Sequence, residues 1–308
     1  MINRRNIRVK VMQTLYAFTT SVETDRPIDP QKTLTQYFNQ TRTLLTSLVY
    51  FLTEIARYAE KDAYRKSHKY IPTEKDLNVN TKLAGCPLLW EILELEEYKA
   101  ALKNEKPEQF GDETLIKKIY TQLTATPQYQ QYISIQENKI QEDRKIFEFI
   151  FNDLMLGNEI FINHMEESFS NWNDDGDMLA QTIAAIIRKP QSAAFRQIIT
   201  PDKEQFARDL LRTVIEKEEY LLSLITPKLK NWDPERIALL DMIIMKMGVA
   251  EFLYFDTIPP KVTINEYIDL AKEYSTAQSG FFVNGILDNI HKELAQQGKL
   301  KKTDFRKA

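Results

Sequence analysis

Apolar residues recur at spacings of three and four along most of the chain, a period that predicts helices rather than strands. The first such segment, residues 3–21, makes one apolar stripe and begins at Asn3, a suitable N-cap. The stripe consists of Ile7, Val11, Leu15 and Phe18. Long helices are predicted at 31–66 and 128–169, with an irregularity at Gly157. Shorter helices are predicted at 88–104, 112–124, 178–189 and 202–225, with a loop at 67–87. With only eight glycines in 308 residues, the predicted fold class is all-α.

The stretch 232–290 contains three further helical segments separated by turn residues. Asp233 is the predicted cap of the first, with Pro234 in its first position, and the pair Pro259 and Pro260 ends the connection that follows. Either Lys261 or Thr263 opens the second segment. The inward positions are predicted to be Ile237, Leu240, Ile244 and Met247, then Ile264, Ile268 and Ala271, then Phe282, Ile286 and Ile290.

The composition is that of a soluble protein with a core of its own. A hydrophobic fraction of 43% in 308 residues needs neither disulfides nor structural metal. The one cysteine, Cys86, has no CxxC or Cys/His spacing around it, so we expect no metal, no cofactor and a cytoplasmic location. No apolar run approaches the length of a signal peptide or the roughly 18 residues of a membrane span. Secretion and membrane insertion are therefore not expected.

Positive charge is concentrated at the two ends of the chain. Residues 1–22 and 294–308 each carry a net charge of +4, which leaves −11 for the remainder of a chain whose formal charge is −3. This polarity offers a local patch to a polyanion, although solvation is the simpler interpretation of the basic tail at 299–308.

The sequence contains no motif for catalysis. GxSxG, HExxH, GxxxxGK[ST] and GxGxxG are all absent, so no catalytic residue is predicted. Residues 171–177, NWNDDGD, resemble the start of a calcium loop, but the twelfth position is Thr182, where a bidentate glutamate is needed. Asp177 is instead predicted to cap the next helix. Binding is the function that remains.

The first helix carries the best binding candidates. Arg4, Arg5 and Arg8 lie near its N-terminus, where the helix dipole disfavours a cation by about 0.3–1 kcal/mol. An external anion such as RNA phosphate accounts for them, and so does screening by water. Gln13 and Tyr16 add an amide and a stacking ring, as single-stranded RNA recognition requires, although each also fits an ordinary surface or core position.

Two phenylalanines follow the last loop, which is rich in serine and threonine. If Ile286 faces inward, Phe282 does as well, so Phe281 is the better candidate for exposure; burial of both is the alternative.

The chain resembles the NusB family of bacterial transcription antitermination factors. RRNIRVKVMQTLY at 4–16 is similar to the family's opening RRxARxxALQxLY, with Ile7 and Val11 in place of alanines. Within 206–290, FARDLL, RIALLDMIIMKMGVAEFLY, IPPKVTINEYIDLAKEY and FFVNGILDNI resemble the rest of the family. The strings IPxKVxINExIxLAK and FVNGxLD are together highly specific, and the resemblance covers about a third of the chain.

The resemblance implies two packed helical subdomains enlarged by a long helical insertion. Residues 1–22 and 202–231 would form the core of the N-terminal subdomain, and 232–296 the C-terminal subdomain. Residues 23–201 would be the insertion, and 297–308 a basic tail.

The resemblance also implies a role without catalysis. NusB proteins bind the boxA element of nascent ribosomal RNA together with NusE, a small-subunit ribosomal protein, within the antitermination complex of RNA polymerase. The RNA-binding residues would be Arg4, Arg5, Arg8, Gln13, Tyr16, Lys261 and Phe282. Asn265, Glu266, Asn284 and Gly285 match further motif positions, where the polar side chains would mainly fix loop geometry. Homodimer formation stays open.

Two departures from the family pattern leave a second hypothesis open. Phe281 stands where many members have a lysine or arginine, and Tyr274 and Ser275 stand where a glycine is common. The chain could therefore be a helical protein-interaction scaffold that has lost RNA binding. The acidic bias of the insertion argues against a direct RNA role for it, and its lack of strand patterns argues against an attached RNA-modifying domain.

Overall fold

The computed structural model describes residues 2–137, 139–192, 195, 197–229 and 237–302. All regular secondary structure in these ranges is helical and comprises fifteen α-helices, three short 3₁₀ helices and one π-helix, with no β-strand. The all-α fold class predicted from the sequence is confirmed. None of the helices described is both long and apolar enough to cross a bilayer.

The chain divides into two compact units. We call Phe38–Ile198 the insertion unit, and we call Ile2–Tyr37 together with the described residues from Ile199 onward the terminal unit. The helices, in chain order, are α1 (Arg4–Glu23), α2 (Pro30–Ser67), α3 (Glu74–Leu77), α4 (Pro87–Leu93), α5 (Glu96–Glu105), α6 (Glu113–Thr124), α7 (Pro127–Ser134), α8 (Ile140–Phe149), α9 (Glu159–Ser168), α10 (Trp172–Arg188), α11 (Pro201–Glu216), α12 (Glu218–Ile225), α13 (Leu239–Tyr254), α14 (Pro260–Tyr274) and α15 (Ser279–Gln296).

The terminal unit is built around α13, which contacts α1, α11, α12, α14 and α15. Every residue of α13 from Ile243 to Phe252 is buried, as expected of a helix that is covered on all sides. Gly248 is required for this packing, since a Cβ there would lie 2.9 Å from Leu287 Cδ2 on α15. The central helix thereby fixes the position of α1 and α14, which carry most of the predicted site residues.

The insertion unit has its own aromatic core. Phe51 of α2 packs edge-on against Phe161 of α9, with ring centroids 5.4 Å apart, and against the ring of His164 at 5.5 Å. The π-helix Ile150–Met155 continues α8 and ends just before Gly157. A Cβ at Gly157 would lie 2.4 Å from the Asp153 carbonyl oxygen, so only glycine fits this tight turn. The irregularity predicted at this position is confirmed.

Several predicted helix boundaries are correct. The predictions at 3–21 and 31–66 are confirmed by α1 and α2. Asn3 caps α1, since its side-chain oxygen accepts a hydrogen bond from the Asn6 N–H at 2.9 Å. The prediction at 112–124 corresponds to α6.

Other predicted boundaries are wrong because local breaks interrupt the apolar period. The helix predicted at 128–169 is divided into α7, α8 with its π-helix, and α9, and an extended backbone at Ile135 ends α7. The one predicted at 202–225 breaks at Lys217 into α11 and α12, and 88–104 is divided into α4 and α5. Asp177 lies inside α10, which already begins at Trp172, so Asp177 is not a cap.

The buried face of α14 differs from the prediction. The helix begins at Pro260, and Ile264 and Ile268 are only half-buried. Its buried residues are Thr263, Tyr267, Leu270 and Ala271. Two of these are polar because they bind a buried carboxylate, as described below. The predicted cap at Asp233 and Pro234 lies outside the described residues, as does the predicted subdomain boundary at 231/232.

Candidate functional site

The N-terminal arginines of α1 have three different environments. Arg4 is exposed, and its guanidinium carbon lies 5.7 Å from the centroid of the Phe206 ring. Arg5 has a side chain that is 38% exposed and pairs with Glu273 and, at 3.8 Å, with Asp269 on α14. Arg8, by contrast, is only 1% exposed. Of the three arginines predicted to bind RNA together, therefore, only Arg4 and part of Arg5 are accessible to solvent.

Arg8 forms a buried bidentate ion pair. Its Nε and Nη2 atoms donate hydrogen bonds of 2.9 Å to the two carboxylate oxygens of Glu251 on α13. Its Nη1 atom donates to Glu266 Oε2 at 3.1 Å. The Glu251 oxygens also accept hydrogen bonds from Thr263 Oγ1 at 2.7 Å and from the Tyr267 hydroxyl at 3.1 Å. This network joins α1, α13 and α14 through one carboxylate.

The electrostatics of Arg8 follow from these contacts. Burial alone would lower the pKa of Arg8, but the hydrogen bonding that Arg8 donates to Glu251 and the charges of Glu251 and Glu266 raise the pKa above its ordinary value. The cost of placing this cation near the positive end of α1 is offset by an internal carboxylate rather than by an external anion. The burial of Arg8 and its contacts argue against the expected RNA contact and favour a role in positioning α1.

Gln13 and Tyr16 lie further along α1. Gln13 is half-buried and Tyr16 is 47% exposed. The stretch of α1 from Asn6 to Met12 is entirely buried. At about 1.5 Å per residue, Tyr16 lies about 16 Å along the helix axis from Arg5. On α1, the exposed arginines and the exposed ring are therefore separate patches.

The predicted residues of α14 lie on different faces of that helix. Lys261 and Asn265 are exposed, one turn apart, whereas Glu266 is half-buried and bound by Arg8. Glu266 thus has a structural role, but it joins two helices instead of shaping a loop. Asp269 and Glu273 continue the exposed face of Lys261 and Asn265 at four-residue spacing and hold Arg5.

A groove of about 670 Å³ lies beside the start of α15, and sequence reasoning did not locate it. Its wall includes Phe281, which is 78% exposed as the sequence suggested, and Phe282, which is half-buried. The remaining lining residues are Ile237, Ala238, Asp241, Thr276, Gln278, Ser279, Gly285 and Ile286. Both α13 and α15 begin at this groove, so two helix N-termini, the ends favourable for anions, meet at it.

Gly285 is informative because the fold itself does not require a glycine there. A Cβ at this position would meet no atom within 4 Å, and Gly285 lies inside α15, where glycine costs about 1 kcal/mol relative to alanine. Gly248, by comparison, is needed for internal packing. Asn284 is exposed beside Gly285. The open surface at Gly285 is suited to close approach by another molecule.

Ser279 and Asp241 close the base of this groove. The Ser279 hydroxyl donates a 2.9 Å hydrogen bond to Asp241 Oδ2. The other carboxylate oxygen, Oδ1, is buried without a hydrogen-bond partner among the described residues. The same residues contain no cluster of three or more side chains suited to holding a metal ion.

The fold is that of an all-α protein, with aromatic rings and helix N-termini at one groove and arginines at the start of α1. A family model described as the NusB family matches residues 167–292. The chain is 37% identical over 139 residues to a transcription antitermination protein NusB of Salinibacter ruber, which is 45% of this chain and 82% of that protein. The chain belongs to the NusB family.

Two further relatives of this chain are also NusB proteins. A transcription antitermination protein NusB of Chloroherpeton thalassium is 40% identical over 100 residues, 32% of this chain and 47% of that protein. One of Desulfatibacillum aliphaticivorans is 38% identical over 110 residues, 35% of this chain and 77% of that protein. No solved structure matches the chain.

Proposed function

We propose that this chain is a transcription antitermination factor without catalytic activity, and that it binds boxA-type single-stranded RNA of nascent ribosomal RNA together with NusE. Membership of the NusB family supports the general role. The observation that carries the RNA assignment is the groove beside α15, where an exposed Phe281, a half-buried Phe282 and an open Gly285 lie at two helix N-termini. Aromatic rings stack on unpaired bases, and helix N-termini favour phosphates.

Each predicted residue receives a role that fits its placement. Arg4, Arg5 and Lys261 are exposed enough to contact phosphates, and Tyr16 to stack on a base. Phe281 supplies stacking where many family members have a cation, with Phe282 beside it. Arg8 and Glu266 position α1 against α14. Gln13, Asn265 and Asn284 remain candidates for polar contacts.

The experiment is a titration of fluorescently labelled boxA RNA with the full chain, with and without NusE. Charge reversal in an Arg4→Glu/Arg5→Glu variant should weaken binding. It should also reduce the salt slope by about 0.7 for each phosphate that the protein no longer neutralises. An Arg212→Glu variant is the matched control, because Arg212 is an exposed arginine of α11 whose ion pair is with its neighbour Asp209. Equal affinity and salt slope for the double variant and the control would contradict the proposal.

A Gly285→Ala variant tests the groove separately from the arginines. Because a Cβ there meets nothing in the fold, the free energy of unfolding should stay equal or rise by up to about 1 kcal/mol. RNA affinity should nevertheless fall, since the methyl group obstructs the surface. A stabilised variant with unchanged RNA affinity would remove the groove from the binding site.

The second candidate is a protein-interaction scaffold of NusB fold that no longer binds RNA. The observation that favours it is the commitment of Arg5 to Glu273 and Asp269 and of Arg8 to Glu251, which reduces the positive charge available at α1. In that case the titration detects no boxA binding with or without NusE, and a protein partner binds the Arg4→Glu/Arg5→Glu variant as well as the unmodified chain.

A further inference from the structure

The second half of α2, in the insertion unit, and the residue directly after it carry a stripe of exposed cationic and aromatic side chains. We call these residues the α2 stripe: Arg57, Lys61, Tyr64, Arg65 and His68. Their spacing of four, three, one and three residues places all five within about 100° of the helix circumference. All five are exposed, and they extend over about 16 Å of helix.

Two of the three carboxylates that pair with this stripe, Glu54 and Asp62, lie deeper than the cations. The Glu54 side chain is 12% exposed and is held by Arg57 at 2.7 Å and by Lys61 at 3.6 Å, whose side chains are 48% and 54% exposed. Asp62 is 6% exposed and pairs with Arg65, which is 52% exposed. Lys61 also lies 3.8 Å from the exposed Glu113. The exposed acids at the stripe are Glu113 and Glu60, so its three cations outnumber the exposed carboxylates beside them.

Aromatic rings lie directly beside these cations. The Tyr64 and His68 rings stack with centroids 4.1 Å apart and an interplanar angle of 32°. Tyr64 is 68% exposed, and Tyr70, just beyond the end of α2, is 101% exposed. Cations near a helix C-terminus are explained by the helix dipole alone. The helix dipole does not explain the exposed tyrosines, because burying an aromatic ring would stabilise the fold by a few kcal/mol.

The local charge differs from that of the whole insertion. Residues 146–187 contain eight acidic residues and no lysine or arginine, so much of the negative charge belongs to a different part of the insertion. The average charge that argued against RNA binding by the insertion therefore does not describe the α2 stripe.

We propose that the α2 stripe, with Tyr70, is a second binding site for single-stranded RNA. Phosphates pair with Arg57, Lys61 and Arg65, while bases stack on Tyr64 and Tyr70. Every base has a stacking face and the cations recognise only the backbone, so this site does not depend on sequence. It extends beyond the proposed boxA function and does not require it, because no residue is shared with the groove or with α1.

The test uses the full chain in an Arg4→Glu/Arg5→Glu background, which weakens the proposed boxA site. Fluorescein-labelled oligouridylate is titrated and followed by anisotropy at several salt concentrations. A Tyr64→Ala/Tyr70→Ala variant should lose at least about five-fold in affinity for each ring. A Lys61→Glu/Arg65→Glu variant should bind more weakly and show a salt slope smaller by about 1.4, corresponding to two neutralised phosphates.

The matched controls lie in the same unit. Trp90→Ala removes an aromatic side chain that is 48% exposed, and Lys99→Glu reverses a cation that is 43% exposed. Both should bind oligouridylate like the background chain. Photo-crosslinking of 4-thiouridine RNA should label the peptide that contains Tyr64 and Tyr70.

Three outcomes would overturn the proposal. They are unchanged binding in both stripe variants, equal losses in the controls, and crosslinks confined to the terminal unit. Capture of an acidic protein through the stripe, with no RNA binding, would assign this surface to a protein partner instead. Failure of boxA binding in the unmodified chain, with oligouridylate binding intact, would reject the proposed function alone.

Discussion

Arg8 is one of the largest fully buried side chains in the described part of the protein, and Glu251 opposite it is 0% exposed. Thr263 and Tyr267 also donate to this carboxylate, but only the Arg8 guanidinium supplies two hydrogen bonds together with a positive charge. The packing of α1 therefore depends on α13, and that of α13 on α1. The ion pair itself need not stabilise the fold more than a well-packed apolar contact would at the same place.

Arg8→Met should lower the free energy of unfolding by about 3–5 kcal/mol, because it leaves Glu251 buried without a cation. Arg5→Met, which breaks an exposed pair, should cost no more than about 1 kcal/mol. Urea unfolding followed by far-ultraviolet circular dichroism measures both. Equal effects of the two substitutions would show that the Glu251 carboxylate is not held mainly by Arg8.

At the scale of single residues, the sequence singles out Arg8 as unusual but does not identify its partner, Glu251. The arginines at the start of α1 were conspicuous because they oppose the helix dipole, and Asn3 was predicted correctly as a cap from local spacing alone. Glu251 is 243 residues away from Arg8 in sequence, and no local pattern connects them. The regular helical period of α15 correctly predicts that Phe281 is more exposed than Phe282.

At the scale of helices, the C-terminal end of α13 has a cap that comes from the tail. Lys302 Nζ donates hydrogen bonds of 2.9 Å and 2.8 Å to the carbonyl oxygens of Glu251 and Phe255. The final carbonyls of a helix lack partners within the helix, and a cation there also complements the dipole. Burial lowers the pKa of Lys302. The start of the basic tail therefore contributes to the fold and is not solely a solvated extension.

Lys302→Ala should destabilise the protein by about 1–2 kcal/mol, since two carbonyls and a favourable dipole interaction lose their donor. Lys301→Ala is the matched control, because Lys301 is the exposed neighbour of Lys302 and should have little effect. Thermal unfolding of the two variants compares them directly. A control that loses as much stability as Lys302→Ala would assign the effect to net charge.

The breaks between consecutive helices are the feature of the helices that the sequence predicts least well. The periods of α1 and α2 are uninterrupted, and both were predicted to within a few residues. The region 128–169 keeps apolar residues at helical spacing across the gaps between α7, α8 and α9, so periodicity alone joined them. The tight turn before Gly157 depends on the Asp153 carbonyl, which a pattern of side chains does not reveal.

At the scale of the whole molecule, the two units differ in how the chain forms them. The insertion unit is one continuous segment, whereas the terminal unit is assembled from two segments that lie on either side of it in sequence. We propose that the insertion, placed by sequence at 23–201, is an independently stable addition to a NusB core. Its own aromatic core around Phe51 and Phe161 supports this proposal.

A fragment comprising residues 30–198, which keeps α2 whole, should therefore be helical and unfold cooperatively. A fragment comprising residues 199–302 should not fold, because it lacks α1 and leaves Glu251 buried without Arg8. Circular dichroism with urea titration and limited proteolysis distinguish the two. A folded 199–302 fragment would contradict the role assigned to α1, and an unfolded 30–198 fragment would contradict the independence of the insertion.

The separation of Arg8 from Glu251 also has a consequence during protein synthesis. At roughly 5–20 residues per second, Glu251 leaves the ribosome roughly 12–50 s after Arg8. Helices form in about a microsecond and small domains typically fold in microseconds to seconds, so the insertion unit has time to fold while α1 still lacks its partner. The basic segment that becomes α1 therefore stays exposed on the nascent chain, accessible to chaperones, until α13 emerges and the terminal unit forms around it.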